Sequence, residues 1–107
     1  MPRPPIERAV AGVPRVTVFK PAGVPARELE QLQLAVDELE AIRLVDFESL
    51  SHEEAGERMG ISRGTIGRLL EKGRRTVADA LLHGHALRLE GGAIVPPPAG
   101  RRARRCP

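Results

Sequence analysis

At 107 residues the chain has room for one small domain with a slim margin of stability, and no second independent domain is expected. Phe19 and Phe47 are its only aromatic residues, so the core has to rest on Leu, Ile, Val, Ala and Met, which suits packed helices better than an aromatic-rich sheet. The net charge of +3 is modest but segregated: residues 26–57 hold ten Asp or Glu against Arg27 and Arg43, whereas residues 58–75 hold Arg58, Arg63, Arg68, Lys72, Arg74 and Arg75 against Glu71.

The start, MPRPPIERAV, lacks the apolar run of a signal peptide, and no stretch approaches the roughly 18 apolar residues of a membrane span. A soluble, cytoplasmic protein with no membrane partner is the expectation. Prolines at 2, 4, 5, 14, 21 and 25 exclude a long helix over this opening and predict extended chain, with residues 1–13 flexible and RVTVF, residues 15–19, a short strand. RELEQLQLA, residues 27–35, fits neither period cleanly and reads as a short helical turn entering an extended piece.

Helical order becomes clear at Asp37, which with Glu40 has the D-x-x-E spacing of a capping arrangement; the first helix is predicted over about Glu38 to Phe47. Ser51 with Glu54 repeats that logic and starts a second helix, His52 through Met59, with Gly60 as the left-handed residue that ends it. Ser62 caps a third helix from Arg63 to His83, stopped by Gly84. Its inward positions are Ile66, Leu69 or Leu70, Gly73, Val77, and Ala80 or Leu81. At about 1.5 Å per residue this helix is roughly 30 Å long, more than groove insertion needs, so TVADALLHG is expected to pack against the N-terminal segment or another subunit. HALRLEGGAIV, residues 85–95, reads as a short strand before Gly91 and Gly92 that pairs with RVTVF. Residues 96–107 read as a disordered basic tail.

LSHEEAGERMGISRGTIGRLLEKGRRT, residues 50–76, has the make-up of a helix-turn-helix, in which the second helix enters the major groove and the first fixes its angle. With Gly60 in the turn, the close contact falls at Gly56, and Ala55, Met59, Ile61, Ile66 and Leu69 fill the apolar sites between the elements. A helical hairpin that binds nothing would share this packing. The outward residues favour a reader: Arg63, Thr65 and Arg68 lie where base edges would be met, Lys72, Arg74 and Arg75 where phosphates would lie, and Ser62, Gly64 and Gly67 complete the expected DNA-binding set. Arginine can give guanine O6 and N7 two hydrogen bonds, so Arg63 and Arg68 are expected to carry base selectivity. Gly64 and Gly67 supply no reading atoms and cost the helix roughly 1 kcal/mol each relative to alanine.

The same stretch resembles the helix-turn-helix of sigma factor region 4. More widely, PRVTVFKPAGVPARELE, VDELEAIRLVDFESLS and GRRTVADALLHGHALRLEGG resemble, in this order, the blocks of a family of small uncharacterised prokaryotic proteins predicted to bind DNA, over about residues 14–92. That resemblance implies a sigma-region-4-like domain with a regulatory role. The chain departs from the family pattern at Gly56 and Gly73, where alanine is expected, and at Gly67, where a larger polar residue is common. A complete sigma factor is not expected, because 107 residues hold only the region-4-like part and not the parts that melt a promoter and hold the polymerase core.

Other candidates carry less. His52, His83 and His85 read as exposed or capping histidines, with no Asp or Cys at ligand spacing. Asp37, Glu38, Glu40, Asp46 and Glu48 read as a solvated acidic helix face that would orient the domain on DNA. Cys106 alone can form no intramolecular disulfide or thiolate cage. The arginines of GRRARRC favour nonspecific DNA contact over RNA, since no aromatic residues are interleaved to stack on bases.

The sequence thus predicts a mainly α fold: a three-helix helix-turn-helix domain over residues 14–95, sigma-region-4-like, with an extended N-terminal segment and a disordered basic tail. The expected function is that of a DNA-binding transcriptional regulator acting on double-stranded DNA, as a homodimer because one short reading helix gives little affinity. No enzymatic activity, catalytic residue, metal or cofactor is expected. The alternative is an adaptor that binds RNA polymerase or another protein through its acidic first two helices.

Overall fold

Capping chemistry fixes the second and third helices. Ser51 Oγ accepts the Glu54 amide and the Glu54 carboxylate accepts the Ser51 amide, both at 3.0 Å, satisfying two otherwise orphaned donors at the start of a helix over His52–Met59. Gly60 closes it at φ 73°, a conformation that only glycine adopts cheaply. Ser62 caps the next helix, Arg63–His83, by accepting the Thr65 amide at 3.1 Å, and Gly84 ends it at φ 70°.

The computed structural model describes residues 7–12, 16–92 and 94–95. The elements in chain order are β1 (Arg8–Ala9), β2 (Val18–Phe19), a 3-10 turn at Ala26–Glu28, β3 (Gln31–Leu34), α1 (Val36–Ile42), a π-helical turn over Arg43–Phe47 that continues α1, α2 (His52–Met59), α3 (Arg63–His83), β4 (Ala86–Leu89) and β5 (Ile94–Val95). Among the described residues no helix is long and apolar enough to cross a membrane. The predicted tail, residues 96–107 with Cys106 and its arginines, lies outside the described residues, as do Val13–Arg15.

The helices rest on a small sheet of order β2-β4-β3 that a purely helical reading leaves out. β2 pairs antiparallel with β4, Val18 opposite Arg88 and Phe19 opposite Leu87, as the expected pairing of these two runs requires. The additional strand is β3, which lies parallel to β4 with Leu32 opposite Leu87 and Leu34 opposite Leu89. Its helix α1 and the long α3 form the crossover that a parallel pair needs. α3 packs against β3 and β4, and in its second half Ala80 is buried while Leu81 and Leu82 stay exposed.

The core contains no ring. Ala41, Leu44, Ala55, Met59, Ile66 and Leu70 are each at most 1% exposed, while Ile42, Val45, Leu50, Ile61 and Leu69 pack around them and both phenylalanines stay exposed. Aliphatic side chains fill such a core only when backbones come close. At Gly73 an added Cβ would lie 3.0 Å from Ile42 Cδ1 and 3.2 Å from Glu38 Cβ, so α1 crosses α3 there with no room to spare. At Gly56 it would lie 2.5 Å from the Ile61 carbonyl oxygen, and the Ile61 amide donates to the Gly56 carbonyl at 2.9 Å. Gly67 has no such constraint; the nearest atom to its Cβ position, His52 Nδ1, is 4.0 Å away.

The first helix differs from its sequence reading. It begins at Val36 after Ala35, and the Glu38 carboxylate reaches back to the Ala35 amide at 2.9 Å, so Asp37 is not the cap. Nor are the acids of α1 solvated: Asp37, Glu38 and Glu40 are 4%, 3% and 5% exposed. Each has partners drawn from distant chain. Arg8 Nη1 donates to Asp37 Oδ2 at 2.9 Å, the Ala11 amide donates to Glu40 Oε2 at 2.9 Å, and Arg43 donates to both oxygens of Glu40. Residues 7–12, expected as part of a flexible leader, are therefore held: Arg8 and Val10 are buried, and β1 pairs in parallel with β5.

Two outcomes follow for stability. Gly56→Leu should lower it by roughly 1–3 kcal/mol through overpacking against backbone that cannot yield, whereas Gly67→Ala should raise it by about 0.5–1 kcal/mol by removing glycine from an open helix position. Urea unfolding followed by circular dichroism measures both; equal effects of the two substitutions would contradict the packing described.

Candidate nucleic-acid interface

The predicted reading residues sit on α3, and the helical period sorts them into faces. Ile66, Leu70, Gly73 and Ala80 are buried, and Gly64, Arg68 and Arg75 fall on the opposite, exposed side. Arg63 is exposed in the first turn. Ser62, Arg63, Thr65, Arg68 and Lys72 line one open groove, whose other wall includes Arg8, Asp37 and Gly92, with Glu53 and Glu57 of α2 along its edge. Gly67 and Arg74 turn to the flank that faces α2 and the π turn.

Several of these side chains already have intramolecular partners. The Ser62 and Thr65 hydroxyls lie 3.0 Å apart, and Arg68 Nη2 reaches Thr65 Oγ1 at 3.4 Å. Lys72 Nζ is 3.6 Å from Glu38 Oε2. Arg74 is held most firmly: its guanidinium donates twice to Asp46, at 2.6 and 3.1 Å. That fork geometry holds the Asp46 carboxyl below the usual aspartate range and raises Arg74 above its own. The hydrogen bonds from Ser51 likewise hold Glu54 below the ordinary glutamate value. Arg74 thus ties α3 to the turn after α1, while Arg63, Arg68 and Arg75 present their charge outward.

Two groupings were not legible as sites. Arg8 joins Asp37 from 29 residues away, a pairing with no local signal. Asp79 stands one helical turn before His83, and His85 comes back beside both, so these histidines do have an aspartate at ligand spacing. The i,i+4 relation of Asp79 and His83 was the available signal.

Comparison with known proteins places the chain. The family model described as "Protein of unknown function DUF134" matches residues 1–95. The chain belongs to this family. Its relatives include UPF0251 proteins of Moorella thermoacetica, 56% identical over 108 residues, and of Desulfosudis oleivorans, 56% identical over 92 residues. These alignments cover 99% and 86% of this chain, but 71% and 67% of the relatives' own lengths. A UPF0251 protein of Prosthecochloris aestuarii is 45% identical over 93 residues, covering 87% of this chain and 60% of its own length. No solved structure matches. The resemblance to a family of small uncharacterised prokaryotic proteins, read from separated sequence blocks, is therefore borne out.

The Asp46 and Arg74 pair gives a pH-dependent outcome. A carboxyl whose folded pKa is depressed contributes stability above its unfolded value, and that contribution is lost as pH falls through the folded value. Both side chains are well exposed, so Asp46→Ala should cost no more than about 1 kcal/mol at pH 7. The difference from the parent should begin to shrink as pH enters the ordinary aspartate range and vanish only below the depressed folded value. Urea midpoints of both proteins across that range measure it; a constant difference would show that the charge on Asp46 is not its source.

Proposed function

We propose that this protein binds double-stranded DNA as a transcriptional regulator, seating the first half of α3 in the major groove. One observation carries the reading: the tight turn at Gly56 and Gly60 sets α3 on α2 so that Arg63, Arg68 and Arg75 point away from the core along one helix. This is the arrangement a helix-turn-helix uses, with base edges met by the first turns and phosphates by cations further along. Arg63 and Arg68 are the base readers. Lys72 and Arg75 serve the phosphates, while Arg74, committed to Asp46, positions the helix. A homodimer supplies the second reading helix, because a single one gives little affinity.

Arg63→Ala should flatten the preference for the best duplex over its single-base variants by roughly 1–3 kcal/mol at the position read. Lys72→Ala should weaken all duplexes alike and reduce the salt slope by about one contact. Fluorescence anisotropy against a panel of duplexes at several salt concentrations separates the two. Equal, sequence-independent losses from both substitutions would remove Arg63 as a base reader.

A further inference from the structure

Where α3 stops, the helix and the turn that follows it bring metal-ligating groups around one point. Asp79 and His83 lie one turn apart on the same helix face, with Asp79 Oδ1 2.7 Å from His83 Nδ1. Gly84 then reverses the chain in its left-handed conformation, and the amides of Gly84 and His85 both donate to the Ala80 carbonyl. This turn fixes the His85 backbone and brings its Nε2 to 3.8 Å from the same Asp79 oxygen. The Ala86 amide donates to the Glu30 carbonyl at 2.9 Å, which anchors Glu30 alongside, its Oε2 3.4 Å from His85 Nε2. One ligand atom each from Asp79, His83 and His85 falls within 4.8 Å of the others.

A histidine in the last turn of a helix, paired with an aspartate four residues earlier, is an ordinary way to complement the helix dipole. That accounts for His83 but not for His85. The latter is off the helix, its side chain only 22% exposed, with its ring centroid 5.8 Å from that of His83 and its Nε2 turned to the same carboxylate. Two imidazole nitrogens with a carboxylate oxygen form a donor set taken by borderline divalent cations. Bonds of about 2.0–2.2 Å in a tetrahedral site put ligand atoms roughly 3.3–3.5 Å apart. Asp79 Oδ1 is 2.7 Å from His83 Nδ1 and 3.8 Å from His85 Nε2, separations that lie on either side of that spacing.

We propose that Asp79 Oδ1, His83 Nδ1 and His85 Nε2 bind a divalent transition cation of the zinc class, with Glu30, 3.4 Å from His85, at the edge of the site. The ion clips the end of α3 to the turn that enters β4, and its fourth position is left to water or to the Glu30 carboxylate. The site stands apart from DNA reading: Asp79 is sixteen residues beyond Arg63 on α3, about 24 Å along the helix.

The test uses the full chain carrying Cys106→Ser, so that no thiolate competes for the ion. Zinc is titrated by calorimetry and cobalt by visible absorption, with melting followed in parallel. The expected result is one equivalent bound, a tetrahedral cobalt spectrum, and a melting temperature that rises with zinc. His83→Ala and His85→Ala should each weaken binding at least about tenfold, and His52→Ala should leave it unchanged. His83 is exposed, so its removal leaves the fold intact, which circular dichroism without metal checks. Zinc bound as tightly by the His83→Ala, His85→Ala double variant, or no saturation at one equivalent, overturns the proposal.

Discussion

Close approach of backbones at Gly56 and Gly73 is the constraint on which the rest of the molecule depends. A core whose largest fully buried side chains are Leu34, Leu44, Met59, Ile66 and Leu70 cannot span wide gaps between helices. It is filled because α1 lies directly on α3 at Gly73 and the turn after α2 folds onto Gly56. These two contacts set the angle of α3 against both preceding helices. They therefore also set where its outward arginines point.

α3 then serves two ends at once. Its cations run from Arg63 to Arg75, and the helix packs against β3 and β4, so the arginine-bearing end is held on a rigid platform rather than on a loop. The acids of α1 belong to that platform. Asp37, Glu38 and Glu40 are buried against Arg8, the Ala35 and Ala11 amides and Arg43, and removing one partner from such a buried pair typically costs 3–5 kcal/mol. Their burial also thins the acidic face that would favour a protein adaptor. Asp46 and Glu48 are further occupied by Arg74 and Arg43. What remains exposed and acidic is chiefly α2, with Glu53, Glu54 and Glu57.

Legibility followed locality. The bounds of α2 and α3, their serine caps and their glycine stops could be read residue by residue, because each depends on groups within four positions. The strand pairing of residues 18–19 with 87–88 was also legible from alternation and the need for a partner. β3 was legible only as an extended piece after a short helical turn: QLQL has only two apolar side chains, and its parallel pairing across α1, α2 and α3 leaves no local trace. The burial of the α1 acids was hidden for the same reason, since Arg8 and Ala11 reach them from 29 residues away. At the candidate interface the sequence assigned Arg74 to phosphate, and only the fold reveals its commitment to Asp46.

Selection of bound duplexes from a random DNA library, at low and at near-physiological salt, tests the central claim most directly, because it separates base reading from simple charge attraction. The account predicts an enriched motif that survives the higher salt, with two related half-sites matching a pair of α3 helices. Binding without enrichment that disappears as salt rises would contradict it, leaving the outward arginines as a nonspecific cationic surface.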